Sequence, residues 1–243
     1  PLKARDVSRL VADTLKAPEE RVEEVAELIF MKSQGNPFFI HELMMTLYRK
    51  GYFVFDFEKL TWQWNIEDIR QDHLSDNVVE FMVRQLESLP EKTQQILKWA
   101  SCIGSRFNIE ILALIAEVSV SECARNLWSA LKNQYLLPEG DAYRLLDFVE
   151  QGESAPNVAF KFAHDRILQA AYSLIGSELE ADSHLRIARL LDSHGSQLDQ
   201  RDQLLNKVRH YNLGIANVTD AEEKSRIAQL NQTAGRLAQQ TLS

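Results

Sequence analysis

The spacing of apolar positions predicts a chain made mostly of amphipathic helices. Val7, Leu10, Val11 and Leu15 share one helical face over Ala4–Lys16. Val22, Val25, Ala26, Ile29 and Phe30 do the same over Glu19–Ser33, with Pro18 in that helix's first turn and Glu19 and Glu20 at its positive end. Phe39, Ile40, Leu43, Met44, Leu47 and Tyr48 mark the core face of a third helix over Phe38–Lys50, which stops at Gly51. Gly35-Asn36-Pro37 stands between the second and third helices. Gly35 suits a C-terminal cap, Asn36 an N-cap and Pro37 the first helical position.

The period then changes. Tyr52–Phe57 and Thr61–Asn65 alternate and are rich in aromatic residues, which predicts a small hairpin across Glu58-Lys59-Leu60. Ile66–Ser75 reads as a polar connector. Val78–Leu89 reads as a helix with Val79, Met82, Val83 and Leu86 inward, ended by Pro90. Three more helices are predicted at Thr93–Cys102, Ile109–Glu117 and Ser121–Gln134, the last capped by Ser119 or by Ser121. Strands are expected at Tyr135–Leu137, Tyr143–Phe148 and Val158–Phe162, with a turn over Pro138–Ala142 and a polar loop over Glu150–Asn157. Three helices followed by a small antiparallel sheet is the order of a winged helix.

Helices at Asp165–Leu174, Leu179–Ser193, Arg201–Leu213 and Ala221–Gln240 follow. Thr219-Asp220-Ala221-Glu222 reads as a capping box for the last. Their pairing resembles the hairpins of a helical solenoid, though too few repeats are present to set a period. The predicted fold class is mainly α. Three domains are expected: a helical lid with a small β-hairpin over 1–76, a winged-helix-like domain over 77–176, and the start of an α-helical array over 177–243.

Composition narrows the function more than the fold. The 243 residues are 45% hydrophobic and 26% charged, ordinary for a globular chain with a substantial core. A net charge of −8 argues against broad nucleic-acid binding, which depends on cations neutralising phosphates. Cys102 and Cys123 sit in amphipathic stretches and read as buried reduced thiols. Even a long apolar run such as Ile111–Ala116 is far short of the roughly 20 residues needed to span a bilayer. With no signal peptide visible, a cytoplasmic location is expected. The chain starts at Pro1 and stops inside a helical pattern at Ser243, so it reads as a piece of something longer.

The usual catalytic signatures are missing. None of the nine glycines is followed by lysine, so there is no phosphate-binding loop. No GxGxxG, GxSxG or HExxH occurs. The six histidines, at 41, 73, 164, 184, 194 and 210, are scattered, and no metal site is expected. This chain by itself is not expected to be an enzyme.

Two stretches together suggest a family. One is Gly35-Asn36-Pro37 with Phe38-Phe39 and its amphipathic helix. The other is Phe160-Lys161-Phe162-Ala163-His164-Asp165-Arg166-Ile167, followed by Leu168-Gln169-Ala170-Ala171-Tyr172. These resemble the lid and winged-helix region of STAND-type signalling ATPases. The resemblance is closest to large bacterial multi-domain sensor kinases that carry an ATPase module. It covers almost the whole sequence.

The resemblance implies that Pro37 lines the adenine, with Gly35 and Asn36 shaping that turn. It implies that His164 donates to a β-phosphate oxygen and that Asp165 orients the same turn. ATP or ADP is then expected in the full-length parent, with no cofactor in this fragment. The implied partners are an upstream nucleotide-binding core and downstream helical or sensor domains of the same chain, with room for a separate protein partner and no membrane. The phosphate loop and magnesium residues of the family would lie before Pro1.

Each site residue also has a plain reading. Gly35-Asn36-Pro37 is fully explained as a cap, a cap and a first turn. His164 is equally a histidine satisfied at a strand end, and Asp165 is itself a candidate cap. Two rival functions stand beside the signalling one. A winged helix can lay its third helix in a DNA major groove. Here that helix carries Glu122, Arg125 and Lys132, with Ala124, Leu127, Trp128 and Leu131 on the expected core face, which leaves little for DNA. A pure protein-interaction scaffold built on the C-terminal helices is the other.

Overall fold

A computed structural model of the chain describes residues 1–72, 75, 77–140, 158–193 and 200–239. The fold is mainly α, and contacts divide it into two compact units, Pro1–Arg84 and Gln85–Ser243.

The first unit holds α1 (Ala4–Leu15), α2 (Glu19–Ser33), α3 (Pro37–Arg49), β1 (Val54–Asp56), β2 (Thr61–Gln63), α4 (Ile66–Gln71) and most of α5 (Val78–Glu87). Helix α1 packs on α2, and α2 packs on α3 and α4. Val7, Val11, Val22, Val25, Ile29, Phe39, Ile40, Leu43 and Leu47 are all buried, which is the predicted pattern. Leu10 and Tyr48, inward by spacing, are instead exposed. They lie at the margins of their apolar stripes, where helical spacing alone does not fix the side. Pro18 occupies the N-cap of α2 rather than its first turn. In α5, Phe81 and Met82 are buried while Val79 and Val83 are only half-buried. The rings of Phe39 and Phe81 meet edge to face at 5.2 Å.

The hairpin forms as the alternation predicts, with Phe55 opposite Trp62. Its turn is built by Asp56, whose Oδ1 accepts from the backbone N–H groups of Glu58 and Lys59, both at 3.0 Å. Arg21 fastens it to α2 by donating to the Trp62 carbonyl at 2.9 Å and to Gln63 Oε1 at 3.0 Å. The expected polar connector after it is partly wrong, because Ile66–Gln71 is the helix α4. Asn65 Oδ1 caps it on Glu67 N, Glu67 and Asp68 sit at its positive end, and Ile69 is its buried anchor.

The second unit begins with α6 (Glu91–Ile103), β3 (Arg106–Asn108), α7 (Ile109–Ala116), α8 (Val120–Lys132), β4 (Leu136–Glu139) and β5 (Ala159–Phe162). The sheet is antiparallel with order β3-β5-β4. Strand β3 gives no signal in the alternation, since Arg106-Phe107-Asn108 offers only one apolar residue. Phe107 is nevertheless buried and stacks on Phe160 at 6.0 Å. Pro138 and Glu139, expected in a turn, belong to β4, an edge strand where a missing N–H is tolerated. The expected strand Tyr143–Phe148 and loop Glu150–Asn157 lie outside the described residues. Ser119 caps α8, its Oγ accepting from Glu122 N at 3.1 Å.

Trp128 departs most from expectation. Its spacing places it on the core face of α8, but it is 60% exposed. Cys123, Leu127 and Ala130 form the buried face instead.

The rest is helical: α9 (Asp165–Ser173), α10 (Ser177–Ser193), α11 (Gln200–Leu213), a 3-10 turn at Ile215–Asn217, and α12 (Ala221–Gln239). Asp220, not Thr219, caps α12 by accepting from Glu222 N and Glu223 N. Leu185, Ala188, Tyr211, Val218 and Ile227 form the core of these hairpins. Gly214 permits a close approach of α10, because a Cβ there would lie 2.7 Å from Leu185 N. A fork from Arg189 to Glu223, at 2.9 and 2.8 Å, ties α10 to α12.

Candidate functional site

The two motifs singled out from sequence fall in different units. Gly35, Asn36 and Pro37 belong to the first, and His164 and Asp165 to the second. Each is therefore described by itself.

The turn between α2 and α3 is built by two successive left-handed residues. Gln34 is the C-cap of α2 with φ 50°, and its N–H donates to the Phe30 carbonyl. Gly35 follows with φ 73°. The cap position thus belongs to Gln34, with Gly35 just after it, the place where glycine is most common. Gly35 serves a second purpose that sequence does not reveal. Leu2 N donates to the Gly35 carbonyl at 2.7 Å, and a Cβ on Gly35 would lie 2.1 Å from the Leu2 carbonyl oxygen. The start of the chain is laid directly over the glycine, so no side chain fits there.

Asn36 is the N-cap of α3. Its Oδ1 accepts from Phe38 N at 3.0 Å and Phe39 N at 3.3 Å. Pro37 occupies the first helical position and is exposed, whereas Gly35 is buried. Of the three, Pro37 is the most exposed, Asn36 is half-buried and Gly35 is buried. Further along α3, Glu42 and Thr46 lie one turn apart. Both are buried, and Glu42 Oε2 and Thr46 Oγ1 have no hydrogen-bond partner among the described residues. Burial raises the Glu42 carboxyl above its ordinary range, against the opposing pull of His41 and Arg49.

His164 joins β5 to α9. It has extended backbone and is itself the N-cap, with Nδ1 accepting from Arg166 N at 3.1 Å. Asp165, considered as the cap, is instead the first helical residue and is exposed. A neutral imidazole whose Nδ1 accepts carries its proton on Nε2, so this ring is set as a donor through that atom. The Asp165 carboxylate complements the helix dipole at the same end.

A second polar constellation is invisible in the sequence. Tyr172 on α9 donates to Glu180 on α10, a contact shorter than an ordinary hydrogen bond. The Tyr172 hydroxyl lies 2.9 Å from His184 Nε2, and His184 Nδ1 lies 2.8 Å from His210 Nδ1 on α11. Both imidazoles are buried. One proton arrangement satisfies every contact. His210 Nδ1–H donates to His184 Nδ1, His184 Nε2–H donates to the Tyr172 oxygen, and Tyr172 O–H donates to Glu180. Burial, with His184 and Arg209 adding to it, pushes His210 down to about 3. Burial and then Arg209 lower His184, opposed by Glu180. Burial and the bond to Glu180 raise Tyr172. The sequence signal, His184 and His210 on neighbouring helices, is recognisable only once the hairpin register is known.

Cys102 and Cys123 are both buried, and burial pushes each thiol up to about 12, so neither is a nucleophile near neutral pH. Among the described residues, no three His, Cys, Asp or Glu side chains converge as a metal site requires. Among them, too, no helix is long and apolar enough to cross a membrane.

No family model matches the sequence, and no solved structure matches it. Two curated proteins do. The chain is 26% identical over 265 residues to the "Hybrid signal transduction histidine kinase G" of Dictyostelium discoideum, a match covering 94% of this chain and 8% of that protein. It is 22% identical over 111 residues to the "Peroxide stress-activated histidine kinase mak3" of Schizosaccharomyces pombe, covering 44% of this chain and 5% of that protein. The chain is thus similar to a small part of each of two signal-transduction histidine kinases. Both come from eukaryotes, whereas the resemblance read from sequence points to bacterial proteins.

Proposed function

We propose that this chain is a regulatory segment of a multi-domain signal-transduction kinase. In this reading it couples the nucleotide state of an upstream phosphate-binding core to signalling domains downstream. The observation that carries it is the match to a hybrid histidine kinase along 94% of the chain, taking in both compact units.

The parts suit such a role. The first unit is a small helical lid whose exposed Pro37 is held rigidly by the Gly35 turn and the Asn36 cap. The second opens with α6, β3, α7 and α8, completes an antiparallel sheet with β4 and β5, and passes into helical hairpins. His164, at the junction of sheet and helix, presents an Nε2 donor at a helix start, where an anion is favoured. In the parent protein, ADP bound by the upstream core would be contacted by Pro37 on its adenine side and by His164 on its β-phosphate. Contacts made only in the closed state are what allow a nucleotide to shift the population of that state. The chain alone, without the core, has no catalytic role and binds ATP or ADP weakly or not at all.

Hydrogen exchange on the full-length parent tests this. Added ADP should protect the amides of residues 36–40 and 164–168 together. Protection confined to the upstream core would refute the coupling.

A further inference from the structure

Helix α6 carries Gln95, Lys98, Trp99 and Cys102 at successive helical spacings, so they share a face. Asp182, Ser183 and Arg186 on α10 meet that face, and Ile175 closes one end. Between them lies a cavity of about 250 Å³. It falls wholly within the second unit and takes in none of the residues discussed above as nucleotide contacts.

The cavity has an apolar interior and a rim that carries two cations, Lys98 and Arg186, and one carboxylate, Asp182. Trp99 and Ile175 pack against a core of Cys102, Ile115 and Ile187, so the wall behind the cavity is continuous. Cys102 contributes as a neutral thiol, because burial holds it protonated. The two cations differ in how they are held. Arg186 is fixed, with its guanidinium 5.2 Å from the centre of the Trp99 ring and its NH2 group 2.7 Å from Glu117 Oε1. Lys98 makes no ion pair among the described residues. Asp182, the acidic residue of the lining, is engaged by Asn217 Nδ2 at 2.5 Å. An ammonium with no ion pair among the described residues and a guanidinium held by Glu117 and Trp99 thus line an apolar slot.

We infer that this cavity is a binding site for a small organic anion, one ring or a short branched chain bearing a single carboxylate. Its size matches a ligand on the order of ten non-hydrogen atoms, at the low end for small-molecule sites. The apolar body lies against Trp99, Ile175 and Cys102, and the carboxylate meets Lys98 and Arg186. A neutral analogue of the same shape keeps the apolar contacts but leaves the Lys98 charge unanswered. The site spans α6 and α10, so an occupant would bridge the sheet-bearing part of the unit to its helical hairpins.

Calorimetry on the intact 243-residue chain with benzoate, 3-phenylpropionate and indole-3-acetate, each beside its neutral alcohol, tests the inference. At least one acid should bind about tenfold or more tighter than its alcohol. Lys98→Met should reduce that acid to the level of the alcohol, while Lys98→Arg keeps the preference. Ile175→Trp, which fills the slot, should abolish binding of both. Equal affinity for acid and alcohol, a preference that survives Lys98→Met, or no binding of any acid up to about 10 mM would overturn it.

Discussion

His184 and His210 face each other through their Nδ1 atoms at 2.8 Å, with both rings buried. Only one of those two nitrogens can carry a proton in this geometry. The contact therefore exists only while at least one ring stays neutral, and the arrangement with Tyr172 and Glu180 requires His184 to be that neutral ring.

The helical hairpins should accordingly be acid-sensitive. His210 has a folded value of about 3 against an ordinary value of 6.5. A histidine depressed in the folded state leaves the unfolded state holding more protons below pH 6.5. Stability is then complete above pH 6.5 and falls as pH drops toward 3, by on the order of 4 kcal/mol. Amide exchange in α11, followed from pH 7 to 4, should show the protection falling. In His210→Phe the slope should flatten. A slope unchanged in that variant would assign the acid sensitivity to other groups.

The Gly35 turn separates two effects that a glycine substitution normally mixes. Gly35→Ala places a methyl against the Leu2 carbonyl and in left-handed backbone, so the first unit should lose about 2–4 kcal/mol. Gly51 has φ 77° with nothing within 4 Å of where a Cβ would stand, so Gly51→Ala should lose only about 1 kcal/mol. Thermal unfolding of both variants checks this. Equal losses would show that the Leu2 overlay contributes nothing.

Glu42 is predicted to weaken the unit that contains it. Its folded carboxyl is raised by burial, so the folded state holds its proton more tightly. That contribution is present at low pH and is lost as pH rises through the raised value. Glu42→Gln should leave the unfolding midpoint unchanged near pH 4 and raise it near pH 8. A lower midpoint at pH 8 would show that the carboxylate has a stabilising partner.

Helix α8 offers a direct contrast between neighbours. Leu127 is fully buried and Trp128 is 60% exposed. Leu127→Ala should cost about 2–5 kcal/mol, while Trp128→Ala should stay within about 0.5 kcal/mol. Denaturant midpoints decide it. Comparable losses would mean that the Trp128 side chain packs on the core after all.

Much of this fold can be read from the sequence, and the misses have physical causes. The helices follow from long, strongly periodic runs such as Val22–Ile29, where packing and spacing agree. The elements that escape the pattern are short. Helix α4 depends on Ile69 and an Asn65 cap, and β3 on Phe107. Trp128 misleads because its spacing fits the apolar stripe, while the neighbouring helices close over Cys123 and Leu127 instead. At the candidate site, Asn36 and Pro37 take the local roles their chemistry suggests. The overlay of Leu2 on Gly35 and the meeting of His184 with His210 depend on tertiary approach, which one-dimensional spacing does not carry.

The central claim concerns nucleotide sensing by the parent protein, and His164 tests it most directly. ADP affinity should be measured by calorimetry on the full-length protein and on its His164→Ala and His164→Asn variants. Asn keeps a side-chain acceptor for the α9 cap, so it separates loss of the cap from loss of the Nε2 donor. The account predicts that both variants bind ADP about tenfold or more weakly than the parent. Unchanged ADP affinity in both variants would contradict it.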